Sequence, residues 1–159
     1  LREETRRENV LPELPSPTRT RLGTCWRLGR HRLLCGDSRN RSTFARLLGR
    51  GKVGHTFAGP PYFNQRTYSR WDDYAAYLQD MDEVAARCYT ALRDGGILVW
   101  NVANGSSGHH AHVVHHAGIL EERGFRFIDT IIWAKSAPNY GLFRHGSIKS
   151  MRRYYPAHQ

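Results

Sequence analysis

The longest apolar pattern in the chain predicts one amphipathic helix. Its members recur at alternating steps of three and four residues, which places them on one face of a helix starting near Ser69. They are Trp71, Tyr74, Leu78, Met81, Ala85, Cys88 and Leu92. Asp72 and Asp73 lie in the predicted first turn, where negative charge suits the helix dipole. Gly95 and Gly96 are predicted to end the helix, and the stripe is assigned to the core.

Two short apolar runs, Ile97 to Trp100 and Ile128 to Trp133, lack polar alternation, which is typical of strands covered on both faces. A third run, Val53 to Phe57, is predicted to be a short buried strand. A second helix is expected from about His109 to Arg123. The order strand, helix, strand, helix, strand predicts an α/β fold with a doubly wound, largely parallel sheet.

The amino-terminal part of the chain has a different pattern. Residues 1–22 carry three prolines among many charges and no apolar period, so they are predicted to form a flexible arm or linker, and residues 23–159 the remaining domain. Two apolar segments, Cys25 to Leu28 and Arg32 to Cys35, flank Gly29-Arg30-His31 and predict a small hairpin.

Charge points to a polyanionic partner. The 159 residues include 24 Lys and Arg against 14 Asp and Glu, a net charge of +10. Neutralising phosphates releases counterions, so this excess favours nucleic acid as the partner. A solvated basic surface in a basic proteome is the alternative, and composition does not decide between them.

Cysteine usage and hydropathy bear on location. Cys25, Cys35 and Cys88 are odd in number and without metal-binding spacing, so they are interpreted as reduced and mostly buried thiols. No stretch has the roughly 18 apolar residues that span a bilayer, and the amino terminus has no signal pattern. We expect a cytoplasmic protein without a membrane partner.

A rigid turn follows the first predicted strand. The segment Phe57-Ala58-Gly59-Pro60-Pro61-Tyr62-Phe63-Asn64 contains two prolines, which end a β-ladder because neither donates a backbone hydrogen bond. Tyr62 and Phe63 are then held on a stiff loop at the carboxyl end of a strand, where open α/β sheets bind ligands. An ordinary strand-ending turn with core aromatics is the other interpretation.

Five segments together resemble one family. The turn resembles the [Asp/Asn/Ser]-Pro-Pro-[Tyr/Phe] motif of S-adenosylmethionine-dependent DNA amino methyltransferases, and four more segments are similar to that family's permuted members, in the same order. These segments are Leu33 to Ser38, Leu92 to Asn101, Gly124 to Lys135 and Tyr155 to Gln159. The resemblance covers roughly residues 24 to 159. It implies a Rossmann-like methyltransferase fold, of which this chain is expected to carry only part.

The resemblance assigns roles within the turn Gly59-Pro60-Pro61-Tyr62, taken as the catalytic segment. In the family, the side chain that opens the motif and the carbonyl of the first proline accept the two N–H groups of the target amino nitrogen. The aromatic residue stacks on the flipped base. Pro60 would supply the carbonyl, Tyr62 the stacking face, and Phe63 a second apolar wall against DNA.

The chain departs from the family pattern at two points. Gly59 offers no side-chain acceptor, and the Gly-rich cofactor loop is found nowhere in the 159 residues. In permuted members that loop lies farther towards the carboxyl terminus. We therefore expect a carboxy-terminal half or a second polypeptide to complete the S-adenosylmethionine site. Asp37 is a cofactor-binding candidate from this half, with a surface turn as its alternative role.

Two further groups of residues are candidates for binding. Cations and aromatics interleave from Asn139 to Tyr155, which suits phosphate neutralisation and base stacking, although a flexible chain end remains an alternative. The DNA-binding candidates here and nearby are Lys135, Arg144, Lys149, Arg152 and Arg153. His109, His112 and His116 have ligand spacing on a helix, but no Cys or acid lies among them, and no metal site is predicted.

The sequence favours a methyltransferase of double-stranded DNA, with adenine N6 preferred to cytosine N4 as the target. An inactive remnant or subunit that only binds DNA is the main alternative. Protein-glutamine and RNA methyltransferases fit less well, because their Gly-rich loop precedes the Pro-Pro turn and nothing Gly-rich lies between Leu1 and Val53.

Overall fold

The computed structural model describes residues 17–65, 69–103 and 110–132. Seven elements follow one another in these ranges: β1 (Cys25–Leu28), β2 (His31–Leu34), α1 (Arg41–Leu48), β3 (Val53–Ala58), α2 (Tyr74–Ala91), β4 (Leu92–Trp100) and α3 (His112–Glu122). The chain divides into two units, Leu1–Lys52 and Val53–Gln159. Most of the predicted arm, residues 1–16, lies outside the described ranges.

The first unit is a hairpin with a short helix. Strands β1 and β2 pair antiparallel, with Trp26 opposite Leu33 and Arg27 opposite Arg32, so the predicted hairpin is confirmed. Gly29 turns the chain at φ +62°, a conformation that costs glycine little. Helix α1 follows, with Arg32 Nη1 donating to the Leu47 carbonyl near its end at 3.1 Å.

The second unit is built on a strand–helix–strand connection. Strands β3 and β4 are parallel and α2 joins them, as the sequence predicted. Helix α2 starts at Tyr74, later than Ser69, because the Asp73 carboxylate accepts a hydrogen bond from the Ala76 N–H at 2.8 Å and caps the helix. Met81, Ala85 and Cys88 are buried as predicted, and Tyr77 and Ala91 join them. Cys25 and Cys35 are exposed, so the prediction of mostly buried thiols is wrong for these two.

The two glycines after α2 have a different role from the one predicted. The helix already ends at Ala91, and Leu92 has extended backbone that pairs with Val53. The register then shifts, so that His55 pairs with Ile97. Gly95 has φ +71°, and a Cβ on Gly96 would lie 2.8 Å from the Arg93 carbonyl oxygen. These glycines therefore permit a bulge within β4 and do not end the helix.

The predicted sheet is only partly present. The structure shows a mixed α/β fold with one two-stranded parallel sheet among the described residues, and no strand forms between residues 128 and 132. Trp133 lies outside them. Ile128 and Ile131 are 78% and 82% exposed, and no described strand pairs with this segment. The prediction of a third strand is therefore wrong for residues 128–132.

The β3–β4 sheet is covered unequally on its two faces. Trp100, near the end of β4, contacts α3 through His116. Phe57 and Ile97, which belong to the opposite face by their register, are 66% and 49% exposed. Among the described residues, the prediction that Ile97 to Trp100 is covered on both faces is therefore wrong, and so is the prediction that the strand ending near Phe57 is buried.

Helices α2 and α3 pack against each other around an aromatic core. Phe63, Tyr77 and Met81 form its buried centre, with five half-buried hydrophobic residues around it: Trp71, Tyr74, Leu78, Trp100 and Ile119. Helix α3 runs from His112 to Glu122, slightly shorter than predicted. At its end Arg123 forms an ion pair with Asp82 of α2.

One buried imidazole joins three elements of this core. The Trp100 indole N–H donates to His116 Nδ1 at 2.8 Å, and the Tyr77 hydroxyl lies 2.8 Å from His116 Nε2. An indole can only donate, so Nδ1 must accept and Nε2 carries the proton towards Tyr77. Burial, with the charges of His112 and His115 adding to it, lowers the pKa of His116 to about 4. The imidazole is therefore neutral at pH 7.

This network predicts an acid-labile core. The pKa of His116 is about 4 in the folded chain against 6.5 ordinarily, so the unfolded chain takes up the proton first as pH falls. The contribution of neutral His116 to the free energy of unfolding should be fully present above pH 6.5. It should fall by up to about 3 kcal/mol as the pH decreases from 6.5 to 4. Urea unfolding followed by tryptophan fluorescence at several pH values measures this.

Two variants test the assignment. His116→Gln removes one titrating group and should make the pH dependence in this window shallower, whatever its effect on absolute stability; His112, whose pKa is also lowered by burial, keeps part of it. His55→Gln, at an exposed strand position, is the matched control and should keep the original slope. An unchanged slope in His116→Gln would show that another group causes the acid lability.

Candidate functional site

The Pro-Pro turn lies at the carboxyl edge of the parallel sheet. It follows Ala58, the last residue of β3, whose carbonyl accepts a hydrogen bond from the Asn101 N–H at 2.8 Å. The ends of β3 and β4 are therefore adjacent where the turn begins. Pro60 and Pro61 lack N–H groups and cannot continue the ladder. The sequence prediction that the turn leaves the sheet at this edge is confirmed.

The turn is exposed at its start and buried at its end. Gly59 is exposed, Pro60, Pro61 and Tyr62 are half-buried, and Phe63 has only 9% of its surface exposed. The structure thus brings the four predicted catalytic positions together on one short segment. Their surfaces are accessible while the following residue fixes the segment to the protein.

Phe63 anchors the turn in the aromatic core. Its ring meets Tyr74 edge-on at 5.2 Å between centroids and Tyr77 at 5.5 Å. Such contacts add to the free energy of burying the ring. Sequence reasoning placed Phe63 against DNA, whereas the structure places it beneath the turn. Its support of Tyr62 is structural, and a direct DNA contact stays a prediction.

Asn64 closes the loop that follows, and sequence reasoning missed it. The backbone of Asn64 has φ +49°, a left-handed conformation that Asn adopts more readily than most residues. Its Nδ2 donates to the Trp71 carbonyl at 2.9 Å, and its Oδ1 accepts from the Trp71 N–H at 2.8 Å. Trp71 in turn donates from Nε1 to Asp80 of α2 at 2.8 Å. The turn is therefore tied to α2 by polar as well as aromatic contacts.

Tyrosine and histidine rings form the polar part of the core beside the turn. The Tyr74 hydroxyl lies 2.9 Å from His115 Nδ1 and 3.3 Å from His112 Nδ1, and the His110 ring stacks on Tyr74 at 3.6 Å. Burial lowers the pKa of His112, and burial together with the neighbouring Tyr74 and Tyr62 raises the pKa of Tyr77. Both shifts favour neutral side chains at pH 7.

Gly59 faces open space. A Cβ built on this residue would meet no heavy atom within 4 Å, and its φ lies outside the left-handed region. Neither steric contact nor backbone strain therefore requires glycine at this position. An acidic or amide side chain would fit at the start of the turn.

Asp37 lies in the first unit, before α1. Its carboxylate accepts hydrogen bonds from the side chain of Arg39 at 2.8 and 3.1 Å and from the Arg39 N–H at 2.9 Å. These bonds, with the Arg39 charge, hold the pKa of Asp37 below its usual range. Asp37 lines a cavity of about 320 Å³ together with Asn40, Thr43 and Arg46.

This cavity tests how far the described residues fit a nucleoside cofactor. It offers hydroxyl and amide groups and one carboxylate, but Arg39 already occupies that carboxylate. No loop of the Gly-rich kind that cradles such cofactors occurs in the sequence. The residues therefore fit the cofactor only in part.

The remaining candidate residues and segments concern metals, DNA contacts and the membrane. Within residues 17–65, 69–103 and 110–132, no group of three or more potential ligands is arranged to hold a metal ion. His109 and the five basic candidates, Lys135, Arg144, Lys149, Arg152 and Arg153, lie outside those ranges. None of the described helices is both long and apolar enough to cross a bilayer.

Comparison with known proteins identifies a related family. Residues 53–159 match the family model described as DNA methylase, of the N6/N4 methyltransferases. The chain is 28% identical over 126 residues to the Type II beta methyltransferase M.BslI of Bacillus sp. (strain NEB-606). That match covers 69% of this chain and 13% of the relative, so the chain spans only a small part of the length of the relative. No solved structure matches the chain.

The Asn64 bonds predict a local effect on stability. Asn64→Ala removes both hydrogen bonds to Trp71 and should lower the free energy of unfolding by about 1 kcal/mol. Native-state hydrogen exchange of the Trp71 amide should become about fivefold faster, because its acceptor is removed. Gln65→Ala, at the exposed neighbouring amide side chain, is the control and should leave this exchange rate unchanged. Equal Trp71 exchange in the Asn64→Ala and parent proteins would contradict the bonded loop.

Proposed function

Because the chain belongs to the DNA methylase family, whose model matches residues 53–159, we propose that it forms part of an enzyme that methylates an exocyclic amino group of a DNA base. Adenine N6 is the preferred target and cytosine N4 the second choice. S-adenosylmethionine is the proposed methyl donor. The observation that carries the proposal is the rigid Pro-Pro-Tyr turn at the carboxyl edge of a parallel sheet.

The turn suits the chemistry of a poor nucleophile. The lone pair of a base amino group is delocalised into the ring, so the group must be held in a geometry that frees it. The Pro60 carbonyl would accept one of its N–H groups and orient the lone pair. Directional hydrogen bonds of this kind contribute about 3–4 kcal/mol each to lowering a barrier. Fixing the turn through Phe63 and Asn64 keeps the acceptor in position.

Tyr62 is proposed to hold the base. A base inside a duplex cannot present its amino group, so the nucleotide must first be flipped out. Tyr62 is half-buried, which leaves part of its ring accessible while its backbone is anchored by the next residue, Phe63. Stacking on an aromatic face stabilises an extruded base by about 1–3 kcal/mol.

The cofactor site is proposed to be completed by residues other than these 159. The Asp37 carboxylate is proposed to bind the cofactor, which requires that its ion pair with Arg39 be broken first. A carboxy-terminal half or a second polypeptide would supply the Gly-rich loop. The bound cofactor would supply the electrophilic methyl group.

DNA contacts are proposed outside the turn as well. Phe63, within the turn, is proposed to assist DNA binding indirectly by holding Tyr62 in place. The basic residues of the carboxy-terminal segment would neutralise phosphates: Lys135, Arg144, Lys149, Arg152 and Arg153. These assignments rest on the sequence pattern and the family.

A second proposal is that the protein binds DNA without methylating it. Gly59 favours this alternative, because the acceptor that opens the family's motif is absent. If the missing acceptor would have supplied one directional hydrogen bond, its absence slows methyl transfer by a factor of about several hundred or more. Arg39 already binds the Asp37 carboxylate proposed for the cofactor, which also favours DNA binding without methylation.

Restoring the acceptor separates the two proposals. Gly59→Asp should fold normally, since its Cβ meets open space. With a carboxy-terminal half present to complete the cofactor site, labelled methyl transfer to DNA should rise by about two orders of magnitude or more. Measuring initial rates at saturating cofactor isolates the chemical step.

Matched variants control for other effects of the new side chain. Gly59→Ala adds a side chain without an acceptor and should leave the rate near that of the parent. Tyr62→Ala in the Gly59→Asp background should abolish the gain by removing the stacking face. If the parent protein already transfers methyl groups as fast as Gly59→Asp, another group orients the amino nitrogen. Inactivity of both with a complete cofactor site would favour the DNA-binding alternative.

The incomplete cofactor site makes a separate prediction. Residues 1–159 alone should bind S-adenosylmethionine weakly or not at all, because the sequence lacks the Gly-rich loop. Isothermal titration calorimetry with the purified chain measures this. An affinity in the micromolar range would contradict the incomplete site and require a binding pocket built from other residues.

A further inference from the structure

The positive charge of the chain is concentrated in one segment. Residues 17–52 contain ten Lys and Arg residues and one acidic residue, Asp37, a net charge of +9 out of +10 for the whole chain. Residues 53–159 contain eleven cations against nine acids, a net charge of only +2. Residues 1–16 have a net charge of −1, so the first unit carries +8 of the total of +10. The segment that matches the DNA methylase family is thus close to electrically balanced.

All ten of these cations are exposed in the first unit. The single acid, Asp37, pairs with Arg39 and leaves no other carboxylate in residues 17–52. Two arginines of the hairpin bond to neutral groups: Arg27 Nε donates to the Gly29 carbonyl at 3.2 Å, and Arg32 Nη1 to the Leu47 carbonyl at 3.1 Å. These contacts orient the guanidinium groups without neutralising them.

The register of the hairpin places like charges together. Arg27 and Arg32 are directly opposite each other on neighbouring strands, and such pairs are destabilising by a fraction of a kcal/mol. Arg46 of α1 adds a third guanidinium beside Gly23, at the open end of the same hairpin. A polyanion bound here would remove this repulsion.

The other face of the hairpin carries exposed apolar residues. Trp26 and Leu33 are opposite each other and are 43% and 59% exposed. The Trp26 indole N–H is fixed by the Thr20 hydroxyl at 3.2 Å. An accessible aromatic ring on a strongly basic unit is a combination that nucleic-acid-binding surfaces use.

We propose that the hairpin β1–β2 together with α1 is a surface that binds the phosphate backbone of double-stranded DNA without reading its sequence. The charge of the first unit favours a polyanion of any kind, and the choice of DNA rests on the proposed function. The surface differs from the basic carboxy-terminal segment that the sequence pattern indicated. It would supply general affinity, leaving recognition of the base to residues 53–159.

Salt dependence of binding tests this surface. Affinity of the full chain for a short random-sequence duplex, measured by fluorescence anisotropy between 50 and 200 mM salt, should fall steeply. The double variant Arg27→Gln with Arg32→Gln should lower the slope of log affinity against log salt by about two, because each removed arginine would have neutralised one phosphate. Affinity at the lowest salt should fall by at least about tenfold.

A matched pair controls for net charge. Arg93→Gln with Arg126→Gln removes the same charge from exposed positions of the second unit and should change the slope little. Circular dichroism of each variant establishes that the fold is retained. An equal decrease in both double variants, or an unchanged slope in the hairpin variant, would overturn the proposal.

Other partners and the proposed function are distinguished in the same assay series. Binding to anionic phospholipid vesicles or to RNA in clear preference to duplex DNA, weakened in the hairpin variant, would overturn DNA as the partner. Methyl transfer, measured with the cofactor site complete, reports separately on the proposed function. Hairpin-dependent DNA binding without any methyl transfer would retain this surface and reject the enzymatic role.

Discussion

The second unit depends on one neutral imidazole held between two fixed partners. His116 of α3 accepts from Trp100 of β4 and donates to Tyr77 of α2, so the helix pair and the sheet share a single buried polar group. Removing any partner would leave a buried donor or acceptor without its hydrogen bond, which costs about 1–3 kcal/mol. The aromatic rings around it exclude water, and this same exclusion keeps the imidazole uncharged. The position of the Pro-Pro turn depends on this core because Phe63 is part of it.

The turn combines exposure with rigidity, and each property has an identifiable cause. The prolines end the ladder, Phe63 fixes the segment from below, and Asn64 ties the next loop to Trp71. The proposed binding of a base at Tyr62 needs an accessible aromatic face on a fixed backbone, and these three features meet that need. The proposed chemistry therefore asks of the protein chiefly a fixed geometry. It requires no strong base.

Local patterns predicted those features that local energetics decide. The hairpin, the strand–helix–strand order and the buried positions Met81, Ala85 and Cys88 follow from turn chemistry and helical spacing. The helix boundaries were displaced because Asp73 caps α2 and because backbone pairing with Val53 ends it before the glycines. Helix α1 was not predicted, since it has no fully buried residue to mark a core-facing stripe. The prediction of a third strand was wrong for residues 128–132. A strand needs a neighbouring strand to pair with, and the apolar composition around Ile128 and Ile131 does not reveal whether one is present. At the site, the motif located the turn, but the burial of Phe63 and the role of Asn64 depend on contacts with distant residues.

The open surroundings of Gly59 have an evolutionary consequence. Glycine codons become aspartate or glutamate codons through a change of one base, so the acceptor at this position can be gained or removed in a single mutational step. A Cβ here meets no heavy atom within 4 Å, and selection for folding therefore does not oppose either direction. At a packed position the same substitution would destabilise the fold, and selection would remove it for that reason alone, whatever its effect on the reaction. A single base change at this codon can therefore add or remove the proposed acceptor while the rest of the fold stays unchanged.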